Sequence, residues 1–112
     1  MIDSAFDGGR FFGYVYEDGE GFAFITYSLS VDTADIEDLF VSPALRRRGI
    51  AKELLTAAIM DIAGKGKTAV FLEVRTDNLP AIDLYTSFGF EKISVRKKYY
   101  ADGDAFVLKK EL

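Results

Sequence analysis

The chain contains no cysteine and no histidine among its 112 residues. Without cysteine there is no disulfide framework, which points to a reducing compartment, with the cytoplasm as the expected location. The same two absences remove the usual zinc ligands, so no metal is expected. They also remove the two commonest nucleophile and base side chains. No apolar run is long enough to span a bilayer, and there is no basic-then-apolar leader, so neither a membrane nor a secretory route is expected. No G-x-G-x-x-G stretch and no Walker sequence with its lysine is present, which argues against nicotinamide and nucleoside-triphosphate enzymes.

What is present reads as an ordinary globular domain, 49% hydrophobic and 29% charged. A single domain over residues 1–112 has room for a modest core and is too small for two. The formal charge is −4, but it is unevenly spread. Through Leu45, nine acidic residues stand against one basic residue, a balance of −8; from Arg46 onward, thirteen basic residues outnumber nine acidic ones, a balance of +4. A bipolar molecule can hold an anion on its later half and draw a cation to its earlier one, although charge that serves only solubility gives the same tally. Direct nucleic-acid binding is disfavoured by a pI of about 4.8. Arg46–Arg48 and Arg96–Lys98 do not by themselves make a contiguous basic face.

Periodicity divides the chain into alternating elements. Residues 1–10 read as a short polar leader. Phe11–Tyr16 and Phe22–Leu29 are aromatic-rich strands joined through Glu17–Glu20, a good hairpin turn. A third strand, Ala34–Val41, slips in phase: Ile36 is apolar, Glu37 and Asp38 are polar, and Leu39, Phe40 and Val41 are all apolar. A β-bulge produces such a slip, as does a strand end running into a buried stretch. From Ile50 apolar residues recur at Leu54, Ala58 and Ile62, with Ala51, Leu55 and Ile59 alongside, the period of a helix. Gly64-Lys65-Gly66 stops it. Ala69–Val74 is a compact strand. A second helix follows, with Asn78 or Asp77 as its cap, Pro80 in its first turn and Gly89 past its end. Strands Lys92–Tyr100 and Ala105–Lys110 flank an Asp102-Gly103-Asp104 turn. The order β-β-β-α-β-α-β-β predicts an α/β (α+β) fold with a mixed sheet of about six strands and helices packed on it.

Three features invite a chemical reading. The stretch Val41–Ala51 runs from a strand through a basic, glycine-containing turn into a helix. A helix start in such a loop offers free backbone N–H groups and a positive dipole end, which suits phosphate, and Arg46, Arg47 and Arg48 add forked donors. A solvated basic loop before an ordinary helix is the plainer alternative. Glu73 sits in Val70-Phe71-Leu72-Glu73-Val74, where every neighbour favours burial; a desolvated carboxylate there becomes a usable base. The alternative is a half-exposed strand with Glu73 beside Arg75 on its outer face. Tyr85, on the following helix, could bring a phenol near Glu73, although buried tyrosines commonly just cap a core.

Together these residues resemble the GCN5-related N-acetyltransferase superfamily. Arg46-x-x-Gly49-x-Ala51 is similar to its Q/R-x-x-G-x-G/A loop. Leu72-Glu73-Val74-Arg75, Asn78, Ala81-Ile82-x-Leu84-Tyr85-x-x-x-Gly89-Phe90 and Arg96–Tyr100 resemble the ribosomal-protein-alanine N-acetyltransferase branch. The resemblance runs from about Phe11 to Leu112. It implies a mostly antiparallel sheet with acetyl-coenzyme A as cosubstrate. The loop backbone of Arg47, Arg48, Gly49, Ile50, Ala51 and Lys52 would hold its pyrophosphate, with Arg46 also on the cofactor side; Leu39, Phe40 and Val41 would pair with its pantetheine arm, and Asn78 would touch it further along. The bulge would aim a backbone N–H at the thioester carbonyl. Glu73 would be the general base and Tyr85 the general acid.

With no cysteine for an acyl-enzyme, the expected path is direct attack of an amine in a ternary complex. The acceptor implied is a protein N-terminal α-amine such as that of a ribosomal protein, with a small-molecule amine, or coenzyme binding without catalysis, as the alternatives. The resemblance also carries a departure. A strand and two helices that usually precede the hairpin have no counterpart in residues 1–10, so the acceptor groove is expected to be more open, or completed by a second copy in a homodimer, or less active.

Overall fold

Alternation along the strands builds a sheet with two different faces. The computed structural model describes residues 4–7, as backbone only, and 11–112. The strands are β1 (Ser4–Asp7), β2 (Phe11–Asp18), β3 (Gly21–Leu29), β4 (Thr33–Val41), β5 (Ala69–Arg75), β6 (Glu91–Tyr100) and β7 (Gly103–Glu111); the helices are α1 (Ile50–Gly64) and α2 (Leu79–Ser87), with a short 3-10 turn at Pro43–Leu45. The sheet order is β1-β2-β3-β4-β5-β7-β6. Every neighbouring pair is antiparallel except β4 and β5, which α1 connects as a parallel crossover.

The six expected strands and two helices occur in the expected order, and the fold class stands. The leader reading needs correction. Ser4–Asp7 pairs with Phe12–Val15 as an edge strand, because Ser-Ala-Phe-Asp is long enough to take up the free edge of the hairpin even without clear alternation. The other positions of 1–10 lie outside the described residues.

Both helices pack on one face. There Ala23, Ile25 and Tyr27 of β3, Ala34 and Ile36 of β4, and Val70, Leu72 and Val74 of β5 form one core with Ile50, Leu54, Leu55, Ala58 and Ile62 of α1, and with Tyr85 and Phe90. Leu54 and Leu55 are fully buried; truncating either to alanine costs about 2–5 kcal/mol. A polar anchor fixes the far end of α1. The buried Tyr27 hydroxyl donates to Asp61 Oδ2 at 2.6 Å, and Lys65 Nζ donates to both oxygens of the same carboxylate. Burial alone would raise the Asp61 pKa, but the bonds from Lys65 and Tyr27 outweigh it and hold it low. α2 is capped at its start by Asn78, whose side chain accepts from Ala81 N, and at its end by Lys110 Nζ, which donates to the Phe88 carbonyl at 2.6 Å.

The opposite face carries Phe22, Phe24 and Phe40, whose rings cluster, and, by strand alternation, Asp38, Phe71 and Glu73. Among the described residues no helix is long and apolar enough to cross a membrane.

Candidate functional site

Two irregularities of β4 define the site. The first is the predicted bulge: the β3–β4 register shifts between Thr26 and Tyr27, which face Asp38 and Ile36, so Glu37 is the extra residue. The second is a wedge. β4 and β5 pair only over Thr33–Asp35 and Ala69–Phe71, yet β4 runs on to Val41 and β5 to Arg75. Along this stretch each strand is paired on its outer side, β4 with β3 from Asp38 to Val41 and β5 with β7 from Leu72 to Arg75. Beyond Asp35 and Phe71 their inner edges therefore separate, and the strand edge of Leu39–Val41 is open to an extended ligand.

The wedge leads to the loop before α1. Arg47 has φ 65° and Gly49 φ 78°, two left-handed positions within three residues. Gly49 is the N-cap of α1 and supplies no side-chain cap, so the first-turn amides of Ile50, Ala51 and Lys52 have no capping acceptor. Successive amides in such a turn make an anion-binding concavity. A Cβ at Gly49 would meet nothing within 4 Å, so it is the left-handed φ and not crowding that calls for glycine there. The loop thus fits a diphosphate through its backbone.

The three arginines differ in what they do. Arg46 Nε donates to the Val41 carbonyl at 3.1 Å and ties the loop to the end of β4. Arg48 is held in a two-pronged pair by Glu20, Nη2–Oε2 2.6 Å and Nη1–Oε1 3.3 Å. Arg47 is exposed. Lys52 lies on the outward side of α1, beside Glu53 and Thr56. The equal treatment of the three arginines in the sequence does not survive the geometry.

Glu73 follows the half-exposed reading of its strand and not that of a dry carboxylate. β5 alternates, with Val70, Leu72 and Val74 buried and Phe71, Glu73 and Arg75 partly exposed. The Glu73 side chain is 28% exposed and its Oε1 accepts from Arg96 Nη1 at 2.8 Å. Apolar sequence neighbours on a strand point to the other face, so adjacency along the chain does not desolvate it.

Tyr85 is buried in the core on the helix face and packs edge-on against Phe90, ring centroids 5.6 Å apart. Glu73 and Tyr85 therefore approach the sheet from opposite faces and are not in contact. Burial, and secondarily the Tyr100 phenol, push the Tyr85 pKa up to about 12. No buried polar side-chain atom of the described residues lacks a hydrogen-bond partner. Asn78 is the cap of α2; with its Oδ1 used by Ala81 N at 3.3 Å, its amide NH2 is the group left to meet a ligand.

Two residues were missed in the sequence. Asp35 ends the paired part of β4, and burial, then the charges of Glu37 and Glu73, raise its pKa. Tyr100 is also raised, by burial first, and it senses Tyr99, Glu73 and Arg75. It links the Glu73 and Tyr85 surroundings electrostatically. For Asp35 the signal existed as the one carboxylate on β4 standing between apolar residues; for Tyr100 the pairing arises only when β6 and β7 fold back over β5.

The profile of the acetyltransferase (GNAT) family matches residues 2–90. The ribosomal protein bS18-alanine N-acetyltransferase of Haemophilus ducreyi is 42% identical over 78 residues, covering 70% of this chain and 54% of that protein. The crystal structure of the Escherichia coli ribosomal-protein-S18-alanine N-acetyltransferase superposes with a TM-score of 0.84 at 31% identity, covering 94% of this chain and 71% of that one. An Elizabethkingia anophelis GNAT acetyltransferase with acetyl-CoA bound shares the fold, with a TM-score of 0.80 at 19% identity over 89% of this chain and 76% of that chain. The chain spans only about half of the Haemophilus relative's length.

Proposed function

The chain belongs to the acetyltransferase (GNAT) family, and from that premise we propose that it transfers an acetyl group from acetyl-coenzyme A directly to a primary amine. The acceptor class that the names of the Haemophilus and Escherichia relatives support is the N-terminal α-amine of a protein such as a ribosomal protein. The observation that carries this reading is the wedge between β4 and β5 ending at an uncapped, glycine-bent helix start. One feature admits an extended arm; the other grips a diphosphate.

Acetyl-coenzyme A supplies the activated acyl group as a thioester. Ile50, Ala51 and Lys52 would hold its diphosphate through their amides, with Arg46, Arg47, Arg48 and Gly49 shaping the loop around it. Leu39, Phe40 and Val41 would hold the pantetheine arm as an added strand, and Asn78 would donate from its amide. The bulge at Glu37 would re-aim backbone N–H groups toward the wedge, where they would stabilise negative charge growing on the carbonyl oxygen.

The acceptor amine would approach from the helix-free face, where Glu73 lies. An α-amine with a reference pKa near ~8 is about one-tenth neutral at pH 7, against far less for a lysine near ~10.4. Once the nitrogen bonds to the carbonyl carbon its proton becomes strongly acidic. Glu73, directly or through a water, then takes that proton; Arg96 holds the carboxylate in place. From the other face, Tyr85 stays a phenol throughout the neutral range, since its pKa is pushed up to about 12. A thiol near ~8.5 is the stronger acid, so Tyr85 acts by donating a hydrogen bond to the departing sulfur, without a full early proton transfer. Incubation with acetyl-coenzyme A and a peptide library, with polyamines and aminoglycosides as further arms, tests the reading. Peptides gaining one acetyl mass at the N-terminus support it; acetylated small amines alone would move the acceptor class, and no acetylated product would leave only a coenzyme-binding module.

A further inference from the structure

The turn between β2 and β3 docks onto the loop before α1 at three points. Asp18 Oδ1 accepts from Glu20 N at 2.7 Å and from Gly21 N at 3.3 Å, which fixes the turn from within. Phe22 N donates to Ser42 Oγ at 3.1 Å, and Ser42 N donates to the Phe22 carbonyl at 2.9 Å. A Cβ at Gly21 would overlap the Ser42 hydroxyl, so only glycine permits this approach. The third point is the two-pronged pair of Glu20 with Arg48. Glu20 is thus delivered to Arg48 by a turn that is itself locked.

A carboxylate held on both terminal nitrogens of a guanidinium occupies the donor edge that a phosphate takes. Arg46 is already committed to Val41. Arg48 is therefore the loop cation whose availability Glu20 decides. We propose that Glu20 is an internal anion competing with the diphosphate for Arg48, a positioning residue that lowers the loop's hold on coenzyme A. The inference rests on the reading of this loop as the diphosphate cradle. Glu20 opposes binding by occupying the Arg48 fork. Its removal should therefore tighten binding, whereas a turn that merely braced the loop would weaken binding when cut.

The test is titration calorimetry of the full chain with coenzyme A, for wild type, Glu20→Gln, Arg48→Gln and the double variant, across a salt series. Glu20→Gln should bind about three- to fivefold tighter at low salt, in keeping with an exposed ion pair. Its affinity should fall more steeply with salt than that of the wild type, because one more cation is engaged. In the Arg48→Gln background the Glu20→Gln gain should vanish, and pantetheine, which has no diphosphate, should be insensitive to Glu20. Equal or weaker binding by Glu20→Gln with an unchanged melting temperature would overturn the proposal, and so would a gain that persists without Arg48. Failure of the wild type to bind coenzyme A would instead remove the cradle reading and this inference with it.

Discussion

The loop before α1 and the carboxylate on β5 sit on the two arms of one wedge, yet they are made of different material. The loop works through its backbone: left-handed Arg47 and Gly49 and an uncapped first turn. The β5 site works through side chains, with Glu73 held by Arg96 from β6, 23 residues away. A backbone device keeps its donors in place whatever the side chains do. A side-chain device depends on partners that distant strands deliver, and one substitution can dismantle it. The loop should therefore answer to backbone changes with lost affinity, and the β5 arm to side-chain changes with lost turnover.

The sharpest way to separate the arms is Glu73→Gln. Turnover should fall about 10²–10⁴-fold with the affinity for acetyl-coenzyme A changed less than about twofold. Equal turnover would take Glu73 out of the mechanism. Gly49→Val is the converse: a left-handed φ costs about 1–2 kcal/mol for a residue with a Cβ, so binding should weaken roughly tenfold. Saturated turnover should change little, as rate curves at high coenzyme would show. Tyr85→Phe removes one hydrogen bond to a developing thiolate, so turnover should drop about tenfold with binding and fold kept. Since its pKa lies at about 12, Tyr85 should give the wild type no falling limb between pH 8 and 10; a limb there that the phenylalanine variant lacks would contradict the assignment.

The smallest effect concerns Asp35, where the wedge begins. Its pKa is raised above 3.8, first by burial and then by Glu37 and Glu73. Just above 3.8 the folded chain keeps a proton that the unfolded chain has lost. Stability therefore falls as pH rises through that range and stays lower above it. Asp35→Asn removes this penalty and should raise the melting temperature at pH 7, with no gain near pH 3. A lower melting temperature at pH 7 would show that Asp35 contributes a contact that outweighs its electrostatic cost.

The same contrast explains what was legible in the sequence. The helix period from Ile50 to Ile62, the Gly64-Lys65-Gly66 stop, the Asn78 cap and the phase slip at Ile36–Asp38 are local patterns, and each occurs where the spacing places it. The loop was legible for the same reason, since Gly49 and the helix start are neighbours along the chain. The half-exposed position of Glu73 was legible only as one of two readings, because its surroundings are set by strand parity and by Arg96 on another strand. Arg48's engagement with Glu20 spans 28 residues and left no local trace. Nor did the short strand Ser4–Asp7, which exists because the hairpin edge accepts it.

The most direct test of the central claim is titration of the chain with acetyl-coenzyme A by calorimetry, run beside Glu73→Gln and Gly49→Val. The account predicts one-to-one binding, retained in the first variant and weakened about tenfold in the second. Absence of binding heat in the wild type, or binding indifferent to Gly49→Val, would contradict it.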